Sequence, residues 1–342
     1  MENKPLTLDP LWPLLRDVSR SFYWTLRVLP KTVRSQIGLA YLLARATDTI
    51  ADTGIVPVAG RLSALRALRE RIQGRSRAGL DFGSLTQHQA SAAEGLLLTK
   101  TETLLALLEA LPDLDRQLVR AVLETIVSGQ NLDLERFDGA SAANLKTLPT
   151  DADLDDYTYR VAGCVGEFWT KICRAHVFPN ASLDDALLLD QGIRFGKGLQ
   201  LVNILRDLPS DLRQGRCYLP LADLAAAGLS PADLLKPETM NRLRPGYDRW
   251  LDRAEGHLRA GWAYTNSLPR NCRRVRLACA WPVLIGQRTL KLLRNENVLD
   301  ASRRIKITRA EVRSIFISTI LLYPFPARWQ ALSDLGSNEV SP

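Results

Sequence analysis

The chain has 342 residues, of which 46% are hydrophobic and 24% are charged, an ordinary balance for a globular protein with a large core. The net charge of +8 favours an anionic partner, whether a phosphorylated metabolite, a nucleic acid or an acidic membrane surface, without choosing among them. The five cysteines contain no C-x-x-C pair, which argues against a disulfide framework or a zinc site and predicts reduced thiols in an intracellular protein.

Helical patterning runs through almost the whole chain. Apolar residues recur at spacings of three and four in residues 63–72, 92–111 and 115–127, whereas strand-like alternation is nearly absent. The turn signals between these segments are short, and none has the length or polarity of a linker. The sequence therefore predicts one all-α domain over residues 1–330 and a flexible tail at residues 331–342.

Membrane-spanning segments are not expected. No uncharged apolar run approaches the roughly 20 residues that a spanning helix needs. The longest candidate, residues 314–326, contains Pro324 and Pro326, and the N-terminal MENKPLTLDP lacks the apolar stretch of a signal peptide. These features predict a cytoplasmic protein.

The first polar motif follows an apolar helix pattern. The run IGLAYLLARA (37–46) should be buried, yet it leads into Arg45, Asp48 and Asp52, which are spaced to share one helical face. Burying a carboxylate without a partner is costly. A positively charged partner is therefore expected at this face.

The second polar motif lies in residues 191–211. Gln200, Asn203, Asp207 and Asp211 form one stripe of oxygen-bearing side chains on a helix whose other faces are rich in leucine, isoleucine and valine. Each of the two motifs thus contains a D-x-x-x-D pair.

Two such pairs favour a magnesium site. Like charges one helical turn apart repel, so each pair costs stability unless a cation bridges it. Mg²⁺ prefers oxygen ligands and is often held by a few carboxylates together with substrate phosphates. A single D-x-x-x-D pair is more often a solvated surface or a partner of arginine, but two pairs in apolar surroundings favour Mg²⁺ bound to a diphosphate.

Proline at position 209 lies between the two aspartates of the second motif. Proline removes an N–H donor and clashes with the carbonyl four residues earlier. The sequence therefore predicts a kink near Leu205, which would displace Asp211 from the position one turn beyond Asp207.

Four ordered segments resemble the squalene/phytoene synthase family, which joins prenyl diphosphates head to head. They are SRSFYWTLRVLP (19–30), YLLARATDTIAD (41–52), DYTYRVAGCVGEFW (156–169) and LQLVNILRDLPSDLRQGRCYLP (199–220). The resemblance implies an all-α isoprenoid synthase bundle with a central cavity. It implies prenyltransferase chemistry of the farnesyl-diphosphate farnesyltransferase type, with farnesyl diphosphate as substrate.

The resemblance also implies roles for individual residues. Tyr157 matches the catalytic tyrosine of the family, and the four aspartates would act in catalysis through the metal. The implied Mg²⁺ ligands are Asp48, Asp52, Asn203, Asp207 and Asp211. The implied substrate contacts are Ser19, Arg20, Ser21, Phe22, Tyr41, Arg45, Gln200, Asn203 and Arg206.

Two later segments favour squalene as the product. RLACAWPVLIGQRTL (276–290), with Pro282, and the basic RRIKITRAEV (303–312) resemble squalene synthases. The resemblance implies reduction of presqualene diphosphate by NADPH, and the predicted cofactor contacts are Arg206, Arg216, Lys306 and Arg309. A solvated basic surface at residues 303–309 is the alternative, because the chain has no dinucleotide-binding fingerprint.

Other functions stay open at this stage. Within the family, the alternatives are a dehydrosqualene, presqualene-diphosphate or phytoene synthase without the reductive step. From another class, the alternative is a non-catalytic helical binding or assembly protein. For the enzyme we expect no nucleic-acid partner, and we expect peripheral contact with the inner face of a membrane, because the substrate and product are lipids and the protein is basic.

Overall fold

The computed structural model describes residues 8–19, 22–89, 91–303 and 305–333. The described residues form two compact units, one within Met1–Asp138 and Phe168–Asn180 and one within Gly139–Glu167 and Ala181–Pro342. Both are built from helices, which confirms the predicted all-α fold class. The prediction of one domain over residues 1–330 stays a prediction.

In its described part, the first unit contains a 3₁₀ turn (Asp9–Leu11), eight α-helices and the greater part of a ninth. The helices are α1 (Trp12–Ser19), α2 (Phe22–Val28), α3 (Lys31–Asp52), α4 (Val58–Ile72), α5 (Ser84–Gln87), α6 (Ala92–Thr99), α7 (Thr101–Glu109) and α8 (Asp113–Arg136).

The long helix α3 forms the centre of this first unit. It packs against α8, α4 and α7. Leu39, Leu42, Leu43 and Ile50 are fully buried along it, and their spacing places them on the inner faces of one helix. This packing fixes the helix that carries the first aspartate motif.

The second unit contains a short strand, further helices and a second strand. Its elements are β1 (Lys146–Leu148), α9 (Asp151–Thr158), a π-helical turn (Tyr159–Gly163), the first turn of α10 (Cys164–His176), α11 (Asp185–Arg213), β2 (Arg216–Pro220), α12 (Leu221–Ala226), the 3₁₀ turns Pro231–Leu235 and Pro237–Thr239, α13 (Met240–Ser267), α14 (Arg273–Asn295), α15 (Arg309–Leu322) and α16 (Pro326–Gln330). The rest of α10 belongs to the first unit. β1 and β2 pair in parallel, with Lys146 opposite Arg216.

Glycines bring the π-helical turn and α10 against α11. A Cβ atom at Gly166 would lie 1.8 Å from the carbonyl oxygen of Gly192, and one at Gly196 would lie 2.1 Å from that of Ala162. No side chain fits at these two positions, because real Cβ atoms do not approach a backbone so closely. The glycine-rich VAGCVG segment (161–166) therefore has a packing role: it lets this stretch of chain lie directly on α11.

The helix is not interrupted near Leu205, where the sequence predicted a kink. α11 continues through Pro209 to Arg213, so Asp207 and Asp211 lie one turn apart on the same helix. The carbonyl of Leu205, which would have bonded to an amide at position 209, accepts a hydrogen bond of 3.0 Å from the hydroxyl of buried Tyr247. A residue of α13 therefore satisfies the backbone group that the proline leaves without a donor.

No helix in the described part of the chain is both long enough and apolar enough to cross a membrane.

Candidate functional site

The predicted site residues fall into two groups, one in each compact unit. The group in the first unit lies on and around α3, and the group in the second unit lies on α9, α11 and the elements that follow. Arg20 and Ser21 were predicted to contact substrate and lie outside the described residues.

In the first unit, the aspartate motif surrounds an arginine. Arg45 donates from Nη1 to Asp48, 2.5 Å away, and from Nη2 to Glu94 of α6. The guanidinium therefore lies between two carboxylates. Glu94 was missed in the sequence because it is 49 residues from Arg45 and no spacing rule connects α6 with α3.

The ionised form of Asp48 is electrostatically unfavourable in the folded protein. Burial, together with the charge of Asp52, raises the pKa of Asp48 from 3.8 to about 7 despite the opposing charge of Arg45. The side chain nevertheless keeps 41% of its surface exposed, so the protein surrounds this carboxylate without sealing it from solvent. This is a position where a bound cation would be stabilised.

A pocket of about 440 Å³ opens beside the motif. Arg45, Thr49 and Asp52 line it from α3 and Glu94 lines it from α6. Two buried polar atoms among these residues, Nε of Arg45 and Oγ1 of Thr49, have no hydrogen-bond partner in the described structure. Buried polar atoms without partners are rare, and here they are consistent with a site for a polar ligand.

The other predicted contacts of this unit lie on α1 to α3. The rings of Phe22 and Tyr41 are 5.1 Å apart between centroids, and the Tyr41 hydroxyl donates to the carbonyl of Val18. Ser19 is buried and its hydroxyl donates to the carbonyl of Leu15. The Tyr41 hydroxyl therefore ties α3 to α1, whereas the Ser19 hydroxyl bonds within α1.

In the second unit, α11 presents the polar stripe that its sequence predicts. Gln200, Asp207 and Asp211 are half-buried and Asn203 is exposed, whereas the leucine, isoleucine and valine residues between them are buried. Arg206 donates to both carboxylate oxygens of Asp207, at 2.9 and 2.5 Å. The side chain of Asp207 is 47% exposed. The predicted ligands are thus accessible along one face of a helix.

Tyr157 of α9 forms a pair with a second tyrosine. Its ring stacks on that of Tyr218 in β2, with centroids 4.9 Å apart, and the two hydroxyls are 3.4 Å apart. Both residues are buried. Sequence reasoning missed Tyr218, although it occupies the aromatic position of the quoted GRCYLP segment.

The predicted cofactor contacts are spread over three elements of the second unit. Arg206 is paired with Asp207, Arg216 lies in β2, and Arg309 begins α15. Lys306 and Arg309 are exposed and have no acidic partner in the described part of the chain. They are compatible with binding a phosphate.

Within the described residues, no three His, Cys, Asp or Glu side chains come together as a metal site. Each aspartate motif supplies one pair of carboxylates. Two carboxylates suit Mg²⁺ better than a metal that needs a full protein cage, because Mg²⁺ retains water and binds substrate phosphates. The raised pKa of Asp48 fits the same ion, since a divalent cation would offset the repulsion between Asp48 and Asp52.

Comparison with known proteins places the chain in a family. A sequence model of the squalene/phytoene synthase family matches residues 15–311. The chain therefore belongs to the squalene/phytoene synthase family.

Individual relatives within this family differ in their products. The chain is 28% identical to a bifunctional lycopene cyclase/phytoene synthase of Blakeslea trispora, over 90% of this chain and 49% of the relative. It is also 28% identical to a squalene synthase of Eremothecium gossypii, over 87% of this chain and 65% of the relative. The chain thus spans about half the length of the first relative and less than two thirds of the second.

Solved structures show the same fold. The structure of TcSQS with the ligand BPH1237 superimposes with a TM-score of 0.75 and 22% identity, covering 98% of this chain and 92% of the other. This likeness establishes the isoprenoid synthase fold that the sequence predicted.

Proposed function

We propose that this protein is a prenyltransferase that condenses two molecules of farnesyl diphosphate head to head into presqualene diphosphate and reduces it with NADPH to squalene. The observation that carries the proposal is the pocket beside α3, which is lined by Arg45 and Asp52 and by two buried polar atoms that lack partners. Asp48 pairs with Arg45 at this pocket. Membership of the family supports the reaction type.

The first step is loss of diphosphate from one substrate, which leaves an allylic cation. Bound Mg²⁺ would supply electrostatic stabilisation of the departing diphosphate. In the first unit, Asp48 and Asp52 would hold Mg²⁺. In the second unit, Asn203, Asp207 and Asp211 would hold Mg²⁺. Arg45 and Arg206 would bind diphosphate oxygens, since each arginine now pairs with a carboxylate that the ion would engage.

The cation then attacks the double bond of the second farnesyl diphosphate, and ring closure releases one proton. Tyr157 would relay this proton, giving its own hydroxyl proton to the released diphosphate as its oxygen takes up the proton from the substrate, or it would stabilise the cation with its ring. Its hydroxyl lies 3.4 Å from that of Tyr218, which would orient it. Gln200 lies on α11, the helix that carries Asp207 and Asp211, and its predicted role is to contact the diphosphate.

The reductive step would use NADPH as the hydride donor. Transfer of a hydride from NADPH would accompany loss of the second diphosphate. Lys306 and Arg309, exposed and without an acidic partner among the described residues, support a phosphate contact there. Together with Arg206 and Arg216 they are the residues that we assign to the cofactor.

Incubation of the purified protein with farnesyl diphosphate and Mg²⁺, with and without NADPH, tests the proposal through analysis of the lipid products. We expect squalene only when NADPH is present. Presqualene diphosphate or dehydrosqualene as the end product in both conditions would contradict the squalene assignment. No product from any prenyl diphosphate would favour a non-catalytic binding or assembly protein.

A phytoene synthase is the second candidate, favoured by the relative from Blakeslea trispora. It predicts a C40 product from geranylgeranyl diphosphate without NADPH. Supplying both substrates in parallel reactions distinguishes the two candidates, because the carbon number of the product reports which substrate is used.

A further inference from the structure

The outward face of α15 is apolar and exposed. Ile317, Ile320 and Leu321 are 50%, 41% and 64% exposed, and Phe325, which follows the helix, is 52% exposed. The first three are spaced as neighbours on one helical face. Exposed apolar residues scattered singly are normal, but four together on one helix and its following turn mark an interaction surface.

The opposite face of α15 fixes the orientation of this surface. Thr319 is fully buried and accepts a hydrogen bond of 2.9 Å from Nε1 of Trp281 in α14. The ring of Phe316 lies 4.3 Å from that of Trp281 between centroids. Because these contacts hold α15 against α14, the helix cannot rotate to bury its apolar face.

Arginines border the apolar residues. Arg270 donates to the carbonyls of Tyr323 and Pro324, and the guanidinium of Arg273 lies 5.6 Å from the ring centre of Tyr323. Arg328 lies at the same distance from the ring centre of Phe325. These three arginines are exposed and directly contact the segment that carries the apolar surface.

The surrounding sequence contains almost no negative charge. Residues 256–295 and residues 312–333, which supply α14 and the greater part of α15 and α16, contain no aspartate or glutamate. Beneath the surface, Arg276 is buried, lies 5.5 Å from the ring centres of Tyr323 and Trp329, and bonds to Asn266. The apolar face thus has a positive border and a positive interior.

We propose that this face of α15, with Phe325 and the bordering Arg270, Arg273 and Arg328, docks on an anionic lipid bilayer. The apolar side chains enter the boundary between headgroups and acyl chains, and the guanidinium groups bind lipid phosphates. The sequence predicted membrane contact from the lipid substrate and product and from the net charge, whereas the structure assigns the surface.

Two other occupants fit the surface less well. A nucleic acid would use the arginines but would leave four apolar side chains in water or against its phosphates. A second copy of the chain, related by two-fold symmetry, would bring the same arginines against one another, and like charges facing across an interface are unfavourable. An anionic bilayer matches the charge and the apolar area at once.

Co-sedimentation with vesicles tests the proposal. We expect the protein to bind vesicles of mixed phosphatidylcholine and phosphatidylglycerol, and to bind pure phosphatidylcholine vesicles far more weakly. A double variant with Leu321→Glu and Phe325→Glu should bind the mixed vesicles about tenfold or more weakly, because it places charge where acyl chains must go. Leu187→Glu, at a leucine of α11 with 50% exposure, is the matched control and should bind as the wild type does.

A second pair of substitutions tests the arginines. Arg273→Gln with Arg328→Gln should weaken binding to the mixed vesicles by roughly fivefold for each charge removed and should reduce its dependence on salt. Circular dichroism and thermal unfolding establish that the variants are folded, which we expect because all five altered side chains, including that of the control, are exposed.

Three results would overturn the proposal. The first is wild-type protein that does not bind the mixed vesicles, and the second is equal loss of binding in the apolar double variant and in Leu187→Glu. The third is a wild-type dimer in size-exclusion chromatography that the apolar double variant converts to monomer, since it would assign the face to a second copy of the chain.

Discussion

The two aspartate-bearing helices carry the same D-x-x-x-D spacing in different surroundings. On α3, Asp48 shares Arg45 with Glu94, and burial and Asp52 raise its pKa to about 7. On α11, Asp207 has a two-pronged pair with the adjacent Arg206. Asp48 must share the guanidinium of Arg45 with Glu94, whereas both carboxylate oxygens of Asp207 accept hydrogen bonds from Arg206.

The difference between the two helices shows that a sequence motif specifies which charged groups are present. It does not specify how far the charges of these groups compensate one another in the folded protein. Around α3, Asp48 and Glu94 share one guanidinium and Asp52 repels Asp48, which is an arrangement that a divalent ion would stabilise. On α11, the charge of Asp207 is matched within the motif. We therefore expect the first motif to respond more strongly than the second to metal, to pH and to charge-removing substitutions.

The largest expected effect is on catalysis. Asp48→Asn should lower turnover of farnesyl diphosphate at least about a hundredfold, because it removes a metal ligand that stabilises the departing diphosphate. In metal-free buffer the same variant should unfold at the wild-type temperature or above it, since the repulsion of Asp52 is relieved. Asp207→Asn should lose similar activity but gain no stability, because it weakens an existing pair with Arg206.

Asp17→Asn, which alters an exposed aspartate paired with Arg16, is the control and should leave turnover unchanged. Near-normal turnover in Asp48→Asn would refute the metal assignment. A loss of thermal stability in Asp48→Asn as large as in Asp207→Asn would remove the contrast between the two helices.

The continuity of α11 at Pro209 is the next test. Tyr247→Phe should lower the free energy of unfolding by about 1–3 kcal/mol, because the buried carbonyl of Leu205 loses its donor. In a Pro209→Ala background, the amide at position 209 can bond to that carbonyl, so the same substitution should cost much less. Denaturant unfolding of the four proteins in this double-mutant cycle gives the coupling energy between Tyr247 and Pro209. If Tyr247→Phe lowers the free energy of unfolding equally in both backgrounds, the tyrosine does not compensate for the proline.

A smaller effect is expected at Glu94. Glu94→Gln removes a negative charge that competes with diphosphate for Arg45, so the KM for farnesyl diphosphate should fall by roughly fivefold with little change in kcat. Steady-state kinetics at saturating Mg²⁺ measures both constants. A rise in KM would instead indicate that Glu94 positions the guanidinium for the substrate.

The smallest expected effect is on the pH dependence of stability, because the side chain of Asp48 is 41% exposed and solvent screens its charge. Because the pKa of Asp48 is raised from 3.8 to about 7 in the folded protein, the folded state retains a proton that the unfolded state releases between these values. Raising the pH through this range therefore removes stability from the metal-free wild type and not from Asp48→Asn. The difference in melting temperature between the two proteins should widen from about pH 4 to about pH 7. A constant difference over this range would show that the pKa of Asp48 is not raised in the folded protein.

Much of the fold and the candidate site follows from local sequence. The apolar spacing of residues 37–46 predicts a buried helix, and α3 has these residues in its core. The polar stripe from Gln200 to Asp211 lies on one face of α11, as a 3.6-residue period requires. Local periodicity sufficed in both cases because the residues concerned are neighbours on a single helix.

Partners from distant parts of the chain were not predictable. Glu94 reaches Arg45 only because α6 lies near α3, and Tyr218 stacks on Tyr157 only because β2 lies near α9. Neither contact leaves a spacing signal, since the residues are 49 and 61 positions apart in sequence.

Pro209 shows most clearly the difference between what the sequence determines and what the tertiary structure decides. The sequence by itself determined that the carbonyl of Leu205 would lack an amide donor, because proline has no N–H. Only the tertiary structure decided the outcome, since the hydroxyl of Tyr247, 42 residues further along the chain, supplies the missing hydrogen bond and α11 continues to Arg213. Sequence fixes which groups need partners, and packing decides which partners reach them.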